Sequence, residues 1–147
     1  MNKIAKFRGE YAFLSNFYPA TVFGVDGWEY PSVEHAFQAA KTDDENIRKA
    51  FQVCPTCAEV KKAGRTIDLR PNWDDSKVKI MYELVYSKFD KNPRLRDKLL
   101  ETGDADLEEG NSHGDKFWGT VNGEGQNYLG RILMMVREQM HAKYHRS

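Results

Sequence analysis

Glu34, Gln38 and Lys41 set a carboxylate, an amide and an amine along one stripe of a short predicted helix. They belong to Tyr30-Pro-Ser-Val-Glu-His-Ala-Phe-Gln-Ala-Ala-Lys41. Pro31 suits the approach to a helix, and Ser32 suits an N-cap whose hydroxyl takes an orphan backbone N–H. At about 100° per residue the three polar residues lie within roughly 60° of one another. Val33, Ala36, Phe37 and Ala40 form the adjoining apolar face, which puts the stripe at the rim of a buried surface. A carboxylate and an amine held where neither is fully hydrated are the raw material of acid–base chemistry. A solvated helix face closed by one ion pair satisfies the same spacing.

The stretch also resembles the signature of the NADAR superfamily, whose YbiA-like branch consists of N-glycosidases. The resemblance continues in order along the chain. Phe7-Arg8-Gly9 and Phe13-Leu-Ser-Asn-Phe17 match the family's opening, followed by Gly64-Arg65, Trp73-Asp74, Met81, Lys88-Phe89 and Leu99-Leu-Glu-Thr-Gly103. Leu107-Glu-Glu-Gly-Asn111, Asp115-Lys-Phe-Trp-Gly119 and Gly125-Gln-Asn-Tyr-Leu-Gly-Arg131 complete it, so that the likeness runs from about Phe7 to Arg137. It implies hydrolysis of the C1′–N bond of phosphorylated ribosylaminopyrimidine intermediates of riboflavin biosynthesis, with release of ribose 5-phosphate. Another branch removes ADP-ribose from modified guanine in nucleic acid, as an antitoxin. With no attached toxin domain and no basic excess, that activity ranks second here. A non-catalytic module binding ADP-ribose or NAD is the third reading.

Cleaving a C1′–N bond requires a carboxylate near the carbon that becomes positive, protonation of the departing base, and a delivered water. Glu34, Glu109 and Asp115 are the acidic residues inside the matched motifs. Glu34 is the first choice as base for water or partner of the developing cation, and Asp115 follows as acid or ribose ligand. Lys41 opens a second route. A ribosylamine can open to an imine, which a lysine amine can capture as a Schiff base. Both routes stay open at this point. Trp118, beside Asp115, fits either a core aromatic or a platform for a flat heterocycle. For the phosphate, one candidate is Gly123-Glu-Gly-Gln-Asn127 leading into the last helix, although Asn127 also suits an N-cap. The other combines Arg8, Gly9 and Asn16, with Arg65 and Lys62 as further basic possibilities. Gln38 and Glu109 complete the expected substrate contacts. No cofactor or metal is expected.

These residues must be positioned by one domain spanning residues 1–147, a length that buries about two-thirds of its unfolded surface. The 22 basic and 22 acidic residues cancel, which argues against a long nucleic-acid groove. No apolar leader and no run approaching a membrane span are visible, so a soluble cytoplasmic protein acting on a small ribosyl substrate is expected. Cys54-Pro-Thr-Cys57 follows a predicted helix rather than a central strand, which removes the usual redox context. A zinc site lacks partners, since His35, His113, His141 and His145 are scattered. The fold expected is α+β and helix-dominated. A short hairpin, 20–23 against 28–30, precedes about six helices near 32–41, 43–53, 56–63, 74–89, 92–101 and 126–143. Gly64 and Gly103 sit where helix C-caps belong, and residues 107–109 suit a short strand.

Overall fold

A computed structural model describes residues 2–144. The fold is α+β and helix-dominated, as expected, with six α-helices and one 3-10 helix among the described residues. The chain divides into two compact units: Asn16–Lys91, and the residues up to Ser15 together with those from Asn92 onward.

The Asn16–Lys91 unit begins with a hairpin of two strands, β2 (Val22–Phe23) and β3 (Glu29–Tyr30), paired antiparallel. Asp26 fixes the turn: its carboxylate accepts from the Trp28 amide at 3.0 Å and from the Tyr30 hydroxyl at 2.7 Å. Gly27 supplies the positive φ (83°) that the turn needs. Four helices follow: α1 (Val33–Ala40), α2 (Glu45–Gln52), α3 (Cys57–Gly64) and α4 (Trp73–Lys91). Three of their starts are written locally. Ser32 accepts from the His35 amide, Asp44 from those of Asn46 and Ile47, and Thr56 from that of Glu59. The Thr56 hydroxyl also donates to the Glu59 carboxylate at 3.2 Å, which holds that side chain over the helix start. Helix α1 is the centre of this unit, packed by α2, α3 and α4. Every one of its eight residues is buried.

The other unit contains β1 (Lys3–Ile4), the 3-10 helix Gly9–Leu14, α5 (Pro93–Glu101), β4 (Asp106–Leu107) and α6 (Tyr128–Tyr144). Strand β1 pairs in parallel with β4, in register Lys3 to Asp106 and Ile4 to Leu107. The expected strand at 107–109 is thus found one residue earlier, and its partner at Lys3–Ile4 was not expected. Pro93 opens α5, where its missing N–H costs nothing. Gly103 takes a φ of 63° after the C-cap Thr102, as the sequence led us to expect. Leu129, Ile132, Leu133, Val136 and Met140 form the buried face of α6.

Candidate active site

The site grows from the first turn of α1. Its Glu34 amide, one of the orphan donors of a helix start, is taken by the Asn16 carbonyl at 3.1 Å. The Asn16 side chain donates to the Met81 sulfur at 3.5 Å. With the helix anchored there, Glu34 is only 7% exposed, and its Oε2 accepts from Gln38 Nε2 at 2.6 Å. Burial pushes the Glu34 carboxyl above its ordinary range, against the opposing pull of the Gln38 hydrogen bond and of Lys61, Lys41 and His35. Lys41, the C-cap, is half-buried with its amine 5.9 Å from the Phe37 ring centroid. Burial pulls its amine below the ordinary lysine value; Glu34 opposes that shift, while Arg65, Lys61 and Lys77 reinforce it. The acid is therefore pushed up and the amine down, towards each other and towards neutrality. Opposed shifts of this kind are what acid–base chemistry at a desolvated pair draws on.

Gln38 is held by a feature on the neighbouring helix. A Cβ on Gly64 would lie 1.9 Å from Gln38 Oε1 and 2.7 Å from its Cδ. Gly64 is the last residue of α3 and Arg65 is the C-cap, so Gly64 is not the left-handed cap that its sequence position suggests. It is glycine because the Gln38 amide fills the space of its missing side chain. The same amide leaves Oε1 buried with no hydrogen-bond partner. Gly64→Ala is expected to cost about 1–3 kcal/mol through overpacking. Gln38→Ala in the same chain should recover most of that loss. A double-mutant cycle of denaturant midpoints checks this, and additive losses would disprove the contact.

In the other unit, the segment after β4 behaves differently from expectation. The Asp115 Oδ1 accepts from the amides of Phe117 (3.1 Å) and Trp118 (2.9 Å). Asn111 clasps the Asp115 backbone on both sides, at 2.9 and 3.0 Å. Half-buried Trp118 stands edge-on to Phe117, with centroids 4.8 Å apart, and also meets Tyr128. Glu109 is half-buried, with Oε2 at 3.4 Å from Asn111 Nδ2. The 123–127 segment, the first phosphate candidate, is a tight turn tied to residues 116–119. Val121 and Glu124 spend their amides on each other around Asn122 and Gly123, both at positive φ. The amides of Gln126, Asn127, Tyr128 and Leu129 donate to carbonyls of Lys116, Gly119, Phe117 and Trp118. These bonds occupy the four amides from Gln126 to Leu129. Asn127 is a tie rather than a cap. Its Oδ1 accepts from the Glu109 amide and its Nδ2 donates to the Leu107 carbonyl, both at 2.9 Å. Arg8 and Gly9 stand exposed at the start of the 3-10 helix, where Gly9 has a φ of 61°.

Comparison with known proteins decides the family. The sequence profile of the NADAR domain matches residues 5–141. The chain belongs to the NADAR family. Among its NADAR relatives, the N-glycosidase YbiA of Shigella boydii is 38% identical over 134 residues, covering 89% of this chain and 82% of that protein. An N-glycosidase of Nostoc punctiforme is 40% identical, covering 88% of this chain and 86% of that one. A riboflavin biosynthesis protein of Vibrio vulnificus is 42% identical over 91% of this chain, which spans only 37% of that protein. The NMR structure of E. coli YbiA superposes with a TM-score of 0.85 at 33% identity, covering all of this chain and 90% of that one.

Within this NADAR chain, a buried network beside Glu34 went unseen in the sequence. His35, 3% exposed, contacts the Ser32 hydroxyl through Nδ1 at 2.7 Å and the Cys54 carbonyl through Nε2 at 2.9 Å. A carbonyl only accepts, so Nε2 carries the proton and Nδ1 takes the serine hydroxyl. Cys57 lies 3.3 Å from the same hydroxyl. Both cysteines are free, and burial pushes the Cys57 thiol up, away from the reactive thiolate. The Cys-x-x-Cys segment thus serves to tie the start of α3 to α1. Among the described residues no three His, Cys, Asp or Glu side chains gather as a metal site, and His145 lies outside them. Lys88 of α4 is 1% exposed, and burial lowers its amine to about 7. Its signal was present in the sequence: it falls in phase with Ile80, Met81, Leu84, Val85 and Phe89, where an apolar residue belongs.

Proposed function

We propose that the chain hydrolyses the C1′–N bond of phosphorylated ribosylaminopyrimidine intermediates of riboflavin biosynthesis, releasing ribose 5-phosphate. Its reaction class is that of hydrolases acting on N-glycosyl bonds, the class its YbiA relatives are named for. The riboflavin biosynthesis name of the Vibrio relative supports the substrate assignment. The cytoplasm is the proposed setting; among the described residues no helix is long and apolar enough to cross a membrane.

The observation that carries this reading is the placement of a buried Glu34 and a half-buried Lys41 on one stripe of one helix, where burial pushes the carboxyl up and the amine down. The ring-opened ribosylamine presents an imine carbon at C1′. The neutral Lys41 amine adds to that carbon, and protonated Glu34 gives its proton to the departing amine of the pyrimidine. The Glu34 carboxylate then takes a proton from water, which adds to the lysine imine and frees ribose 5-phosphate. One water is consumed, and both side chains return to their starting states.

The test is a side-by-side assay of the purified protein on two substrates. A ribosylaminopyrimidine 5′-phosphate should be cut with release of ribose 5-phosphate. An ADP-ribosylated guanine oligonucleotide should be left intact. Cleavage of the oligonucleotide alone would make the protein an ADP-ribosyl hydrolase. Binding of ADP-ribose with neither substrate cut would make it a binding module.

A further inference from the structure

We propose that Lys61 and Arg65, at the end of α3 beside the Lys41 end of α1, form the subsite that takes the phosphate of the ribosyl substrate. This rests on the reading above. The contact of Gln38 with Gly64 fixes where α1 and α3 meet. Lys41 follows Gln38 by three residues; Lys61 precedes Gly64 by three, and Arg65 follows it directly. Spaced four apart, Lys61 and Arg65 share one side of their helix. Lys61 is half-buried and leans over Phe17, with its amine 5.8 Å from the ring centroid. Phe17 is itself 43% exposed, an aromatic surface next to the Asn16 carbonyl that anchors Glu34.

Among the described residues none of these three cations has an ion-pair partner, whereas nearby Lys77 is held by Asp74 at 3.2 Å. Glu34, the acid on which Lys61 and Lys41 act, is buried and already bonded to Gln38. Their mutual influence is consistent with close approach: Lys61 acts on both Glu34 and Lys41, and Arg65 on Lys41. A basic last turn also offsets a helix dipole, but the exposed Lys62 serves that purpose, and the dipole of α3 gathers no amine from α1. A phosphate monoester carries between about −1.5 and −2 charges near neutrality and offers three acceptor oxygens, which the Lys61 ammonium and the Arg65 guanidinium would match.

The experiment is calorimetric titration of inorganic phosphate, ribose 5-phosphate and ribose into the wild type, the Lys61→Gln/Arg65→Gln double variant and Lys61→Arg. Steady-state kinetics on the ribosylaminopyrimidine, with and without its 5′-phosphate, accompany it. The double variant should bind ribose 5-phosphate about 10–100-fold more weakly, the range for losing charge-assisted contacts. KM for the phosphorylated substrate should rise to match and the affinity for ribose should be unaffected, while kcat should fall on the phosphorylated and unphosphorylated substrates alike, because the repulsion that lowers the Lys41 amine is removed. Lys61→Arg should recover most of the affinity. Wild-type-like binding of ribose 5-phosphate by the double variant would overturn the subsite while turnover still upheld the function. A wild type that binds neither phosphate nor ribose 5-phosphate would overturn it too. If the ribosylaminopyrimidine is never cut but phosphate binding is lost in the double variant, the subsite stands and the substrate assignment falls.

Discussion

Glu34→Gln should lower turnover of the ribosylaminopyrimidine phosphate by about 100-fold or more, the usual loss when a positioned acid–base group is removed. The substitution changes little else. A glutamine oxygen at this position can still accept from Gln38 Nε2, as Glu34 Oε2 does at 2.6 Å. KM should therefore move far less than kcat. Stability should move the other way. A carboxyl whose folded pKa is raised contributes most below its unfolded value, and that contribution is lost as pH rises through the folded one. Burial places Glu34 in this class, so by neutral pH the wild type carries an ionisation cost that the glutamine lacks. We expect Glu34→Gln to gain about 1 kcal/mol at pH 7.5, or about 2–4 °C in a chain of this size. The gain should shrink towards pH 4. Thermal melts across that range decide it: a variant less stable than wild type at every pH would mean that the buried carboxylate is needed by the fold.

Lys41→Arg should be as damaging, although it keeps the positive charge. A guanidinium stays protonated and cannot add to an imine carbon, whereas an amine with a lowered pKa can. The environment of Lys41 favours the neutral form through burial and the repulsion of Arg65, Lys61 and Lys77. Turnover is expected to fall about 100-fold or more. Borohydride added during turnover should reduce the imine to a stable amine, leaving a ribose-phosphate adduct on the peptide containing Lys41, detectable by mass spectrometry. The adduct should be absent from Lys41→Arg and should accumulate if Glu34 is replaced by a group too weak to activate water. Full activity of Lys41→Arg without any trapped adduct would instead assign the reaction to direct attack of water under Glu34.

What the sequence made legible was whatever depends on near neighbours in the chain. Ser32, Asp44 and Thr56 could be read as caps because each satisfies an amide two or three residues away. The Glu34–Gln38 contact followed from helical spacing. Gly64 was misread because its reason lies on another helix: the side chain it makes room for, Gln38, is 26 positions earlier. The ties of the Gln126–Leu129 amides to the carbonyls of 116–119 could not be read from the glycine-rich run itself, since the acceptors follow no local spacing rule. Strand β1 has two residues, too few for any periodicity, and exists through its partner Asp106–Leu107. Lys88 was quoted within a motif yet given no role, although a lysine in a core phase is itself a signal of altered ionisation.

The ties between residues 116–119 and 126–129 bear on timing as well as shape. A stretch without regular secondary structure is the usual place to look for a flap whose opening limits product release. Here four successive carbonyl-bearing residues serve as the acceptors for the entry to α6, so the stretch cannot lift without unwinding a helix start whose Leu129 is buried. Deuterium uptake at the Gln126 to Leu129 amides should accordingly be slow, tracking α6 rather than the exposed tip at Asn122 and Gly123. Whatever sets the pace of turnover in this chain, it is not the swinging of that segment.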